Sequence, residues 1–224
     1  MHPAPVDSPP RPRHPRLARA TAVLAALSAL LLIAVATRWE PLMTLDGELA
    51  RTAHRWAVAD PGLTQVNRVL SDWFWDPWTM RALCVVVVVW LVWRHDAWWL
   101  ALWVAATCAV GTLVQQGLKA AVGRDRPVWT DPVDSAHYAA FPSGHAMTAT
   151  VVWGLILWLL RRYGAGRVLW RTACTLAVVS VVGVGLTRLW LGVHWPSDVL
   201  GGWLLGALTV TVSVTAYERL TASR

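Results

Sequence analysis

Two short polar clusters interrupt an otherwise apolar chain, and their residue types suit the handling of a phosphate ester. The first runs from Lys119 through Arg126-Pro127 to Pro142-Ser143-Gly144-His145, and the second is Thr187-Arg188, then His194, then Asp198. A phosphomonoester is a dianion, and charge spreads over its equatorial oxygens in the transition state, so fixed positive partners are required. Lys119, Arg126 and Arg188 supply them, and the planar Arg fork matches phosphate oxygens. Ser143-Gly144-His145 reads as a helix start, where free N–H groups bind anions and Gly admits a close backbone approach. Ser143 can cap that helix or donate to a phosphate.

Two imidazoles add the proton and nucleophile chemistry. His194 stands one helical turn before Asp198, and Pro196 suits a first helical turn. Asp198 can accept the proton of one His194 ring nitrogen and leave the other nitrogen as a nucleophile. His145 can protonate a departing alkoxide and later activate water. Taken singly, each residue has a plainer reading. Lys119, Arg124, Arg126 and Arg188 are snorkelling interface cations, Ser143 a cap, each His a structural hydrogen-bonder, and Asp198 a carboxylate favoured by a helix dipole. Their joint spacing is what those readings do not explain.

These clusters must be positioned by membrane helices. The chain is 56% hydrophobic and 15% charged, well under the roughly 25% charged of soluble domains. Seventeen Trp stand against two Phe and three Tyr, as at a membrane interface. Apolar runs cover residues 17–37, 78–93, 97–118, 146–160, 168–186 and 199–216. Backbone groups in lipid must pair internally, so each run predicts a helix, including the strand-prone Val run after Cys84. The basic flank of the first run resembles a signal peptide, but its length predicts an uncleaved span. The expected fold is all-α, a six-helix transmembrane bundle over residues 17–216, with a motif-bearing core at 80–216. Residues 1–16, rich in Pro and Arg, read as a disordered cytoplasmic tail, and 217–224 as a second cytoplasmic tail.

Residues 38–76 have helix-like spacing at 45–57 and 63–74, broken at Asp60-Pro61-Gly62. They read as an amphipathic connector along the membrane surface. Cys84, Cys108 and Cys174 lie in apolar runs and read as small hydrophobes, with no disulfide framework and no metal site. Gly202-x3-Gly206 would let helices approach closely, within one chain or between two.

Charge asymmetry orients the bundle. With a cytoplasmic N-terminus, the inner segments hold 11 of the 20 Lys and Arg residues and 3 of the 13 acidic ones, a balance of +8. The outer segments hold 9 basic and 10 acidic residues, a balance of −1. The basic character thus follows the positive-inside rule, and no nucleic acid is needed to explain it. Both clusters fall at extracytoplasmic helix ends, because an even number of crossings separates them.

Lys119-x6-Arg126-Pro127, Pro142-Ser143-Gly144-His145 and Arg188-x5-His194-x3-Asp198 resemble, in order, the three motifs of the type 2 phosphatidic acid phosphatase (PAP2) superfamily. The resemblance implies a phosphohistidine at His194, oriented by Asp198, with His145 as acid and base. It implies a cradle of Lys119, Arg126, Arg188, Ser143 and Gly144, a lipid phosphate or diphosphate substrate, and neither metal nor cofactor; the charge asymmetry above puts that substrate in the outer leaflet. Thr187 departs from the usual Ser of the third motif, and its hydroxyl is expected to serve as the same donor. Asp125, Asp131 and Asp134 read as solvated loop residues. Arg124, Trp129, His137, Tyr138 and Phe141 are candidates for headgroup contact but read mainly as interfacial packing, outside the catalytic set. Two other readings stand beside this one: a lipid transporter or scaffold that keeps a phosphate pocket, and a vanadate-type haloperoxidase. Transporters place polar groups at mid-membrane rather than at helix ends, and the haloperoxidases are soluble and larger. Phosphatidic acid, phosphatidylglycerol phosphate and undecaprenyl diphosphate remain equal candidates, and the sequence fixes no oligomeric state.

Overall fold

The computed structural model describes residues 15–222, so most of the expected N-terminal tail lies outside the described residues. The described elements are all helical. They are α1 (Pro15–Ala36), α2 (Glu40–Ala59), α3 (Pro61–Val69) running into a π-turn (Leu70–Phe74), α4 (Pro77–His95), α5 (Trp98–Val122), α6 (Gly144–Arg162), α7 (Arg167–Trp190) and α8 (Pro196–Ala222). Six segments are long and apolar enough to cross a membrane, and they take in α1, the stretch from α3 through α4, and α5 to α8. All six expected runs match them, with Thr37 and Ala97 lying one residue outside. The last helix continues beyond residue 216 to Ala222 and buries Tyr217.

The helix ends follow local chemistry. Asp60 accepts from Leu63 N at 2.9 Å ahead of Pro61, and Asp76 accepts from Trp78 N at 2.7 Å ahead of Pro77. Gly123, in the left-handed region at φ 59°, closes α5. The Val run is helical, and Val85 and Val86 stand exposed, as lipid-facing side chains would.

Buried Leu91, Leu100, Val104, Ala149, Val152, Leu155 and Val184 form the core among α4 to α7. In lipid this packing rests on close fit more than on exclusion of water. α6 and α8 approach each other closely. A Cβ at Gly202 would lie 2.7 Å from Ser143 O, and one at Gly206 would lie 2.8 Å from Thr150 Cβ. The small-residue pair therefore packs within the chain, and it sets the α8 backbone directly beneath the Ser143 turn. Trp103 Nε1 and Thr107 Oγ1 both reach Ser213 Oγ, at 2.8 and 2.6 Å, tying α5 to α8.

Residues 38–76 are not a mere surface connector. α2 packs against α7 and α8, and it buries Asp46, Ala50, His54 and Ala57. Steps of four, four and three put those residues on one helical face. The polar members point inward because partners from distant loops meet them there.

Candidate active site

The C-terminal ends of α5 and α7 and the N-terminal ends of α6 and α8 converge at one end of the bundle. A backbone bond from Ser143 N to Asp198 O, 2.9 Å, ties the two polar clusters together. The α5–α6 loop winds around its own cations. Lys119 donates to Ala139 O, while Arg126 donates to Tyr138 O at 2.9 Å, to His137 O at 3.1 Å and to Val193 O. Lys119, Arg126, Arg188, His145 and His194 lie within electrostatic reach of one another. All eight residues expected to form the site thus belong to this one end.

The geometry around His194 is specific. Its ring is 1% exposed. Nδ1 lies 3.4 Å from Asp198 Oδ2, and Nε2 lies 3.2 Å from Arg126 Nη1. A guanidinium only donates, so Nε2 must be the acceptor and the ring proton sits on Nδ1, toward Asp198. Burial first, then the charges of Arg126, Arg188 and Lys119, hold the imidazole well below its ordinary pKa of 6.5. Nε2 therefore carries a lone pair at neutral pH and faces the cations that would hold a phosphate. The Asp198 contact is at the long end for a hydrogen bond, and such contacts often tighten around substrate.

Ser143 is the N-cap residue of α6, yet its hydroxyl makes no cap bond. Ser143 Oγ and Arg188 Nε are buried without a hydrogen-bond partner. Unsatisfied buried donors are costly, and a phosphate oxygen would satisfy both. Of the two roles open to Ser143, donation is the one this geometry leaves available. Gly144 is also confined by packing: a Cβ there would lie 3.2 Å from the Gln115 side-chain nitrogen. Thr187 departs from expectation. Its hydroxyl donates to Val184 O at 2.8 Å within its own helix, so that proton is spent locally rather than in the cradle.

Several residues of this end were not in the expected set. Arg124 donates to Asp198 Oδ1 at 2.7 Å, to Ser197 Oγ at 2.6 Å and to Asp46 Oδ2 at 2.7 Å. Asp46 in turn accepts from Ser197 N at 2.9 Å and from the Ser197 hydroxyl. Arg124 is therefore more than interfacial packing; it is the hub that fixes the carboxylate behind His194. Ser71 accepts from Arg188 Nη1 at 2.8 Å, and Asp72 Oδ1 lies 4.0 Å from the same nitrogen. Asp76 Oδ2 stands 3.9 Å from His145 Nε2. Asp46, Ser71, Asp72 and Asp76 all come from residues 38–76, where nothing in the local spacing marks a site.

The loop is held from outside as well. Asp131 bonds His54 Nε2 at 2.9 Å, and that bond lowers the Asp131 pKa. Trp129 stacks on His54 with centroids 4.1 Å apart and donates to Gly192 O at 2.8 Å. Gly192 sits at φ 68°, and a Cβ there would lie 2.6 Å from the Trp129 indole nitrogen, so both backbone and packing call for Gly. Trp129 and Asp131 are thus latches on this loop, and Asp131 is not simply solvated. Among the described residues, no three His, Cys, Asp or Glu side chains group to hold a metal ion.

The family model described as "PAP2 superfamily" matches residues 96–222. Among curated relatives, a lipid A 1-phosphatase of Rhizobium etli is 28% identical over 130 residues, 54% of this chain and 52% of its own. Phosphatidylglycerophosphatase B of Bacillus subtilis is 35% identical over 101 residues, 43% of this chain and 47% of its own. An undecaprenyl-diphosphatase of Sulfolobus acidocaldarius is 36% identical over 75 residues, 34% of this chain and 32% of its own. The chain thus spans about half or less of the length of these relatives. The crystal structure of a transmembrane PAP2 type phosphatidylglycerolphosphate phosphatase from Bacillus subtilis superposes with a TM-score of 0.79. It is 24% identical, and the match covers 89% of this chain and 96% of that one, which establishes the shared fold.

Proposed function

We propose, because this chain belongs to the PAP2 superfamily, that it is a multi-pass membrane phosphatase that hydrolyses a phosphomonoester or diphosphate of a membrane lipid through a phosphohistidine at His194. The observation that carries this reading is the relay in which Asp198 Oδ2 faces His194 Nδ1 and Arg126 holds the opposite nitrogen. A lone pair aimed at a cationic cradle is the requirement for in-line attack on phosphorus.

In the first step His194 Nε2 forms a bond to phosphorus as the bond from phosphorus to the leaving oxygen breaks. That oxygen takes the electron pair and a proton from His145. Asp198 steadies the Nδ1 proton as the ring becomes cationic. In the second step a water oxygen attacks phosphorus, its proton passes to His145, and the N–P pair returns to His194. Inorganic phosphate leaves. Lys119, Arg126 and Arg188 hold the equatorial oxygens throughout, with Ser143 Oγ and the Gly144 end of α6 donating to them. Three fixed cations supply the charge a metal would otherwise provide.

The charge balance along the sequence supports an extracytoplasmic position for this end, with both termini cytoplasmic and the substrate arriving from the outer leaflet. The decisive experiment is a single-turnover reaction quenched in base, with acid-labile phosphate sought on the protein. It should be present in the wild type and absent in His194→Ala, which should insert in the membrane and turn nothing over. An active His194→Ala without phosphoenzyme would sink the mechanism.

A further inference from the structure

We propose that Asp72 and Asp76 make this site discriminate in favour of lipid phosphomonoesters and against lipid diphosphates. The inference rests on the phosphatase reading above and sharpens its substrate class. Ser143 (0% exposed) and Arg188 (5% exposed) each keep a buried donor without a partner, which a bound anion could satisfy. On its other side stand carboxylates. Asp76 Oδ2 is 3.9 Å from His145 Nε2, and Asp72 Oδ1 is 4.0 Å from Arg188 Nη1.

His145 is the group that serves the leaving oxygen, so the position of Asp76 bears on what may leave. A leaving oxygen held at hydrogen-bond distance from His145 lies within roughly a Debye length, about 8 Å, of the Asp76 carboxylate. With a monoester, the departing group takes a proton and becomes a neutral alcohol. With a diphosphate, the bond that breaks joins the bridging oxygen to the terminal phosphorus, and the departing group is a lipid monophosphate anion. Its charge would develop against Asp76 and Asp72, whose side chains are 27% and 46% exposed, so solvent screens part of that repulsion.

Three of the cations near this end are already engaged. Arg124 is committed to Asp46 and Asp198. Arg188 already faces Asp72, and Arg68 donates to Gln65 and Val133 O. Carboxylates accept hydrogen bonds and donate none, so the rim suits hydroxyls and repels phosphate.

The test compares farnesyl phosphate with farnesyl diphosphate, whose tails are identical. Competition of each against bound vanadate and the kcat/KM for each are measured on the purified full chain. Asp72→Asn, Asp76→Asn and the double variant are then compared with the wild type. Asn keeps the shape of both side chains and still caps α4 at position 76, so the fold should survive. The wild type should favour the monoester by about tenfold or more, and the double variant should narrow the ratio to about threefold. A wild type that binds or cleaves the diphosphate equally well would overturn the proposal, as would a ratio unmoved by the double variant. Monoester-selective binding without any turnover would instead remove the phosphatase reading and leave the selectivity standing.

Discussion

Arg124 Nη1 lies 2.7 Å from Asp198 Oδ1, while the other oxygen of that carboxylate faces His194. The carboxylate beside His194, the proposed nucleophile, is thus itself held by a guanidinium, and Asp46 of α2 holds that guanidinium in turn. Arg124→Ala should leave two buried carboxylates uncompensated and cost about 3–5 kcal/mol of stability. In protein that still folds, kcat should fall by about 10- to 100-fold with KM little changed, because the variant misplaces His194 without touching substrate. Arg124→Lys restores charge without the fork and should recover only part of the rate. A KM effect alone would show that Arg124 contacts the substrate instead.

The pH dependence follows from the depressed His194. Its pKa is held well below 6.5, chiefly by burial, so the free protein keeps His194, the proposed nucleophile, neutral into mildly acidic conditions. The acid limb of kcat/KM should lie below 6.5 once substrate ionisation is allowed for. The same shift bears on stability. The unfolded chain binds this proton at higher pH than the folded one, so the fold loses stability as pH drops from 6.5 toward the folded value. Thermal unfolding in detergent across that window should show the loss, and His194→Gln should remove this component.

Activity should persist in EDTA, because Lys119, Arg126 and Arg188 provide the positive charge at the phosphoryl group. Vanadate should inhibit as a mimic of the five-coordinate state. Activity lost to chelator and restored by Mg²⁺ would refute the charge assignment.

Topology can be read with thiols. In a background lacking Cys84, Cys108 and Cys174, Ser135→Cys in the exposed part of the α5–α6 loop should react with an impermeant reagent in intact cells. Gly166→Cys, between α6 and α7, should react only after lysis. Gly166 is preferable to Gly164, which sits at φ 67°, where a side chain would strain the turn. The reverse pattern would put the active end in the cytoplasm.

Close packing beneath the site should be intolerant. Gly202→Ala would bring a methyl to 2.7 Å from Ser143 O, pushing α8 from α6 at a cost of about 1–3 kcal/mol. Vanadate affinity should fall with it, since Ser143 moves. Gly117→Ala on α5, where a Cβ meets nothing within 4 Å, is the control and should be neutral or slightly stabilising.

By itself the sequence determined the six spans and singled out the eight residues that the structure gathers at one end of the bundle, because both signals are local. Span length and apolar runs reflect the bilayer, and the spacings within each cluster reflect single helix turns and loops. Tertiary structure decided what reaches across. Asp46 meets Arg124 only when α2 lies against α8, and Asp76 meets His145 only when α4 stands beside α6. Those carboxylates sit in amphipathic stretches that read as surface, since periodicity tells which face is polar but not what that face touches. Thr187 carries the same lesson in reverse. Its hydroxyl fits the motif by residue type, yet helix geometry offers it the Val184 carbonyl at 2.8 Å, and the nearer acceptor takes the proton.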